Sequence, residues 1–333
     1  MLNAILAPIP DARAVFRGFG WYNGNMRRMV IFDFYNLLHR SYHAFPREMK
    51  TSTGIQTNAV YGFVSSVLST LKELNPQYIV VAGETGPSFR KEQFEDYKAT
   101  RKWREEYPDE AEELDKQAEL VKEVISKMSI PVIEVPTYEA DDVIGTVAEK
   151  FAGESVEMVI VSNDMDMLQL VNSLVKVLRP ARPPFVKKKI YTKDAVVKSF
   201  GFVPVKITDY KALRGDPSDN IPGVKGIGDK TAKKLIMEFG SLENIYNSID
   251  TLTPPSLKKK LTEGKESAFL SKELSTIKTD APINISLKDM EVKEFNNEEV
   301  FSVFGKYEFK SLLPKLSANK TSPKDENQIG FGF

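Results

Sequence analysis

The stretch Pro131–Asp166, PVIEVPTYEADDVIGTVAEKFAGESVEMVIVSNDMD, decides how the chain is read. It opens on a short apolar run, Pro131–Val135, whose β-branched residues mark a strand. An acidic turn, Tyr-Glu-Ala-Asp-Asp at 138–142, leads into apolar residues at helical spacing from Asp142 to Phe151. A second continuous apolar run, Met158–Ser162, follows, with Asp164 and Asp166 directly after it. Fully apolar strands alternating with helices imply a parallel sheet covered on both faces. Ligands of such sheets bind beyond the carboxyl ends of the strands, and here those ends carry carboxylates.

The pattern extends in both directions. Upstream, Met29–Asp33 (MVIFD) reads as a strand ending in a carboxylate and Tyr78–Ala82 (YIVVA) as a second buried strand. Between them Thr57–Leu74 carries Val60, Phe63, Val64, Val67, Leu68 and Leu71 on one helical face, and Asp115–Met128 reads as another helix. Beyond about Thr192 the strands stop, and residues to about Lys278 read as helices joined by Gly- and Pro-containing turns. The expected fold is therefore α/β, a mostly parallel sheet covered by helices over residues 29–192, followed by a helical domain over 193–316. Residues 1–28 carry four Arg against one Asp and no Ser, Thr, Lys or Glu; they are expected to be a loose extension or a start placed too early. Residues 317–333 are expected to be a flexible tail.

Composition removes several classes of chemistry. The 333 residues, 41% hydrophobic and 28% charged, are globular in character and enough for one large domain or two ordinary ones. No apolar run approaches the roughly 18 residues of a membrane span, and Pro8 and Pro10 break the one apolar stretch near the start, so a cytoplasmic, non-secreted monomer is expected. With no cysteine there are no disulfides, thiolate zinc sites or cysteine nucleophiles. The two histidines, His39 and His43, leave almost nothing for a histidine-based metal site. Any metal chemistry is thus carboxylate chemistry, which suits Mg²⁺ or Mn²⁺. The 46 basic and 46 acidic residues cancel, so a nucleic-acid partner would have to be held by local basic surfaces.

Two constellations carry function. Asp33, Glu139, Asp141, Asp142, Asp164 and Asp166 fall at three strand ends, and Asp216 and Asp219 lie in Gly-Asp-Pro-Ser-Asp-Asn-Ile-Pro-Gly at the mouth of the helical region. Singly, these are helix caps or turn residues. Together they would repel one another unless cations neutralised them, and a pair of divalent ions about 4 Å apart does that in phosphoryl transfer. Residues Ile221–Gly240, IPGVKGIGDKTAKKLIMEFG, form the second constellation. Gly223, Gly226 and Gly228 permit a tight hairpin with positive φ, and a helix from Thr231 buries Ala232, Leu235, Ile236 and Phe239. Exposed backbone N–H groups there can hold a phosphate, with Lys225, Lys230, Lys233 and Lys234 supplying charge. The segment resembles a helix–hairpin–helix, which grips the DNA backbone without reading bases; the alternative is an ordinary helix–helix connection. A further basic stretch, Arg179, Arg182, Lys187, Lys188, Lys189 and Lys193, is a solvated loop or a nucleic-acid contact.

Taken together the motifs resemble the 5′-nuclease family: the 5′–3′ exonuclease domain of bacterial DNA polymerase I, stand-alone phage-type 5′ exonucleases and flap endonucleases. The resemblance runs from about Met29 to Leu316, through Asn-Ala-Val-Tyr-Gly-Phe (58–63), Pro-Ser-Phe-Arg (87–90), Tyr-Lys-Ala-Thr-Arg (97–101), Tyr-Glu-Ala-Asp-Asp (138–142), Asp-Met-Asp (164–166) and the segment 215–228. It implies a PIN-like core, a helical arch near 89–130 and a helix–hairpin–helix near 215–240. It implies a phosphodiester hydrolase acting on DNA with a free 5′ end or flap, and on RNA primers, in replication and repair. The resemblance assigns the eight acids above to two or more Mg²⁺ or Mn²⁺ ions, Arg90, Lys98 and Arg101 to a gateway steering the scissile phosphate, and a K⁺ ion to the hairpin. A bacterial nucleoid or a virus-infected cell is the implied setting.

Two departures stand out. The family's second strand normally ends in a metal-ligand Asp, where this chain has Gly83 beside the longer Glu84. The first strand continues Asp33-Phe34 in place of Asp-Gly. Loss of that carboxylate motivates the rival reading, a catalytically weak or inactive binder of branched DNA. Arg104–Glu119 holds eight acids against two bases, so its acids are expected to face solvent, while Trp103 and Tyr107 stack on bases or pack within the arch. The terminal Gln328-Ile-Gly-Phe-Gly-Phe333 looks like a docking peptide for a sliding clamp.

Overall fold

The computed structural model describes residues 26–153, 155–181, 187–295 and 297–317. In chain order its principal elements are β1 (Arg27–Asp33), α1 (Phe34–Ala44), α2 (Asn58–Leu74), β2 (Tyr78–Ala82), α3 (Pro108–Lys127), β3 (Val132–Ile133), α4 (Ala140–Phe151), β4 (Val156–Val161), β5 (Val175–Arg179) and β6 (Lys189–Tyr191). The helical part follows with α5 (Lys193–Phe200), α6 (Ile207–Arg214), α7 (Asp229–Phe239), α8 (Leu242–Asn247), α9 (Pro255–Glu263), α10 (Lys265–Ser275) and α11 (Glu298–Lys306). Residues 1–25 and the tail from 318, with its Gln328–Phe333 peptide, lie outside the described residues, as does Arg182.

The six strands run in the order β3-β2-β1-β4-β5-β6, parallel except for β6, which is antiparallel to β5. Register aligns the carboxyl ends: Asp33 stands opposite Ala82, and Phe32 opposite Val161. The first strand starts earlier than its apolar residues suggest, so Arg27 and Arg28 belong to the sheet and not to the expected extension. They pair with Val156 and Glu157 of β4, and the Arg28 guanidinium donates to Glu157 at 2.7 Å and to the Leu74 carbonyl at 2.6 Å.

Alternation along β1 sorts the core. Val30 and Phe32 pack with α1, α2, α3 and α11 on one face, while Met29 and Ile31 pack with α4 on the other. That second core continues without a break into the helical part: Leu213, Ile236, Leu261 and Ile277 belong to the same buried cluster as Ile31 and Val143. Phe34, the bulky residue after Asp33, is fully buried in the first core and meets Phe63 edge-on at 5.4 Å, away from the strand-end carboxylates. No helix among the described residues is long and apolar enough to cross a membrane.

Candidate active site

Each acid is aimed by the element that carries it. Asp33 ends β1 and caps α1, accepting from the Asn36 backbone N–H at 3.4 Å and from the Ser162 hydroxyl at 2.6 Å. Burial pushes its carboxyl up to about 7, with Asp164 and Glu84 adding to the rise against the Ser162 hydrogen bond. Asp141, on the first turn of α4, is raised well above the usual carboxylate range by burial and by the charges of Glu139, Asp164 and Asp33. Asp164 and Asp166 follow β4, and the Asp166 N–H donates to Asp164 at 2.8 Å. Burial, with Asp164 adding to it, pushes Asp166 up to about 7 against the pull of Lys211.

Cationic side chains thread these acids. Lys98 Nζ donates to Glu139 at 2.6 Å, and Tyr97 donates to the same carboxylate at 3.0 Å. Burial alone would push the Lys98 ammonium down, but Glu139, Asp141 and Asp219 outweigh it and keep it charged. Lys98 has φ +57°, and its N–H donates to the Asp219 carbonyl at 2.9 Å, so the Tyr97–Arg101 segment is tied to the loop bearing Asp216 and Asp219. Arg101 holds the Asp219 carboxylate and reaches the Ser218 carbonyl at 3.3 Å, with half of its side chain in solvent. Lys211, from α6, bridges Asp166 and Asp216 while almost fully buried. The sequence reading missed Lys211, Ser162 and Tyr97; the one available signal was their position beside motif acids.

Arg90 and Asp142 are joined directly to each other. Arg90 is 2% exposed and Asp142 fully buried, and the pair is bidentate at 2.7 and 2.8 Å. The remaining Arg90 donors go to the Leu274 carbonyl at 2.9 Å, the Thr276 carbonyl at 2.8 Å and the Glu139 carboxylate at 3.3 Å. Asp142 also accepts from the Lys278 and Glu139 N–H groups at 2.8 and 3.1 Å. As placed, the Arg90 donors are all directed at protein acceptors and the Asp142 carboxylate accepts from four protein donors. The pair welds α4 to the end of α10.

At Gly83 a Cβ would stand 2.9 Å from the Glu134 carboxylate, so Glu134 fills the space that an Asp at 83 would need. Lys122 of α3 pairs with Glu134 at 2.9 Å. Glu84 is half-buried, and its charge reaches Asp33.

The donor set is all carboxylate oxygen, and three of its members are pushed upward by burial and mutual repulsion, as expected of acids that need further positive charge. Among the described residues no three acidic or histidine side chains stand close enough to hold an ion as placed; lysine and arginine groups occupy the spaces between them. The set suits hard divalent ions in chemistry, with these ammonium groups as the neighbours such ions would share or displace.

The hairpin lies between α6 and α7. Gly223 (φ +63°) and Gly226 (φ +81°) take positive φ, whereas Gly228 is extended at φ −97° and caps α7. Positive φ is thus required at two of the three expected positions. A Cβ at Gly223 would lie 2.2 Å from the Gly215 nitrogen, while one at Gly228 would meet nothing within 4 Å. Among the described residues the N–H groups of Lys225, Gly226 and Gly228 make no hydrogen bond within the chain. Lys225, Lys230 and Lys234 are exposed, Lys260 of α9 donates to the Gly226 carbonyl at 3.2 Å, and Lys233 is paired with Asp229 at 3.1 Å. In the second basic stretch Lys188 pairs with Glu73.

Near the arch Trp103 packs edge-on against His39 and His43, and Tyr107 is exposed. Several acids of Arg104–Glu119 pair at the surface, Glu110 with Arg47 and Asp115 with Arg104.

Comparison with known proteins agrees with this arrangement. Residues 28–201 match the 5′-3′ exonuclease N-terminal resolvase-like domain, and residues 202–298 match the 5′-3′ exonuclease C-terminal SAM fold. DNA polymerase I of Caldicellulosiruptor bescii is 42% identical over 296 residues, covering 88% of this chain but 34% of the polymerase. The chain therefore spans about a third of that relative. A 5′-3′ exonuclease of Aquifex aeolicus is 36% identical over 292 residues, covering 87% of this chain and 96% of that protein. The solved T5 5′-exonuclease with divalent metal ions (zinc) bound shares the fold at a TM-score of 0.64 and 23% identity, covering 88% of this chain and 100% of that one. Strand-end acids on a parallel sheet, joined through one core to a helical hairpin and matched along both parts, place this chain in the 5′-3′ exonuclease family.

Proposed function

We propose that the chain is a metal-dependent 5′ nuclease that hydrolyses DNA phosphodiesters near a free 5′ end or flap. The observation that carries the reading is the acidic field at the strand ends, laced with Lys98 and Arg101 and stitched to the loop that leads into the hairpin. Asp33, Glu139, Asp141, Asp164, Asp166, Asp216 and Asp219, with Glu84 at the edge, are the residues that would hold Mg²⁺ or Mn²⁺. Such ions, when bound, supply Lewis-acid charge and acidify water for attack on phosphorus. The chain's own contribution is placement. Lys98, kept charged by its neighbours, and the half-exposed Arg101 present cations where a phosphate oxygen gains charge. Lys225, Lys230, Lys234 and the free N–H groups of the hairpin hold the duplex by its backbone. The Gly226 carbonyl already accepts from Lys260, so a K⁺ ion there would share that oxygen with an ammonium.

A second reading, DNA binding without turnover, is favoured by the Gly83 position, where Glu134 and Lys122 replace a carboxylate at the strand end. The deciding experiment is cleavage of a labelled 5′-flap DNA with Mg²⁺, Mn²⁺ or a chelator, beside an Asp141→Asn control. Metal-dependent cutting near the junction that vanishes in the control supports the nuclease. Tight binding with no cutting in either metal overturns it in favour of the second reading.

A further inference from the structure

The chain's two histidines stand four residues apart on α1, and their Nε2 atoms lie 3.3 Å from each other. At that distance one ring can donate a hydrogen bond to the other, the direction set by the tautomer. With metal–nitrogen bonds of about 2.0–2.1 Å, two ligands of a tetrahedral ion stand about 3.3–3.4 Å apart, and two adjacent ligands of an octahedral ion about 2.9 Å. The spacing therefore matches a tetrahedral cation. Both rings are on the exposed face of the helix, and i,i+4 histidines on one helical face are a known way of chelating zinc.

We propose that His39 and His43 form a bidentate site for a tetrahedral, imidazole-seeking divalent cation of the zinc class, separate from the carboxylate field. The surroundings permit it. Arg104 is already bidentate to Asp115 at 2.7 and 2.8 Å, and Arg101 is held by Asp219, so the nearest cations are compensated. Burial, with the His43, Arg104 and Arg101 charges, holds His39 below its ordinary value and leaves its ring neutral, the form that donates a lone pair. Among the described residues there is no third acidic or histidine ligand, so water completes the coordination and the site is open. Trp103 touches both rings edge-on at 5.0 and 5.7 Å, so a bound ion changes the surroundings of that indole.

The test is calorimetric titration of the full chain with Zn²⁺ in a large excess of Mg²⁺, which saturates the oxygen sites, with tryptophan fluorescence recorded in parallel. Wild type, His39→Gln and His43→Gln are compared after confirming equal melting temperatures. The expected result is one zinc-binding event with a fluorescence change in wild type, lost in both variants. Zinc binding that persists unchanged in both variants places the ion among the carboxylates and overturns the proposal, and so does an absence of zinc binding to wild type. The experiment requires no nuclease activity, so it stands whatever the flap assay shows.

Discussion

Replacing Arg90 by Met tests whether that guanidinium is part of the frame or part of the substrate site. Both partners of the Arg90–Asp142 pair are buried, and the guanidinium also satisfies the Leu274 and Thr276 carbonyls. Removing it strands a fully desolvated carboxylate with only backbone N–H donors left, which costs about 3–5 kcal/mol. For a chain of this size that is a fall in melting temperature of roughly 4–7 °C. The double change Arg90→Met with Asp142→Leu removes both charges and should recover most of the loss, since no orphaned ion remains. Thermal unfolding followed by circular dichroism in a chelator reads both values with no metal ion to stand in for the guanidinium. An Arg90→Met protein that melts like wild type yet no longer binds or cuts DNA would refute the structural assignment and put Arg90 on the substrate.

The other expectations are more compact. Asp33 and Asp166 rise from 3.8 to about 7 on folding, so the folded chain holds protons that the unfolded chain releases between about pH 4 and about pH 7. Stability is then lost as pH rises through that window; Asp216, held low by Lys211 and Ser218, acts only below it. Metal-free protein should melt higher near pH 5 than near pH 8, with added Mg²⁺ raising the value near pH 8, and a flat profile in chelator would contradict this. Gly83→Ala should change stability by less than about 1 kcal/mol, because the colliding Glu134 carboxylate is the free end of a flexible chain, whereas Gly83→Asp sets two carboxylates together and should melt clearly lower in chelator. Gly223→Ala should cost more than about 1–3 kcal/mol, since positive φ and backbone overlap combine, while Gly228→Ala should melt like wild type. Lys225→Met should weaken duplex binding and lower the slope of log affinity against log salt by about 1; an unchanged slope would remove Lys225 from the phosphate contacts.

Much of this arrangement was legible because apolar runs announce buried strands and their ends carried carboxylates. Tyr78–Ala82 and the helix over 58–74 follow directly from periodicity. What periodicity cannot give is side-chain direction. Asp142 sits on the first turn of α4, where its carboxylate folds back on the Glu139 N–H in a capping box, and only the tertiary fold brings Arg90 to it. α1 was hidden because Asp33-Phe34 carries an apolar run straight from strand into helix. The strand expected over Pro131–Val135 shrinks to Val132–Ile133, since Pro131 lacks a donor and the chain turns off toward Glu139. Lys211 escaped notice because a lysine in a helix looks like surface until the fold buries it. The histidines were too few to suggest a site, and their sharing of one helix face could not be read while α1 itself was hidden.

The single buried cluster that runs from Ile31 through Val143 to Ile236 and Leu261 has a mechanical consequence. A hairpin hung on a linker could swing, and a nuclease built that way would release a spread of fragment lengths. Here the clamp and the blade are one casting. The span between the hairpin and the acids is held by that shared core, so under the proposed function a duplex seated at the hairpin would present the same phosphodiester step at every engagement. Under the proposed function, the position of the cut would then be set by the protein's own span and not by base sequence.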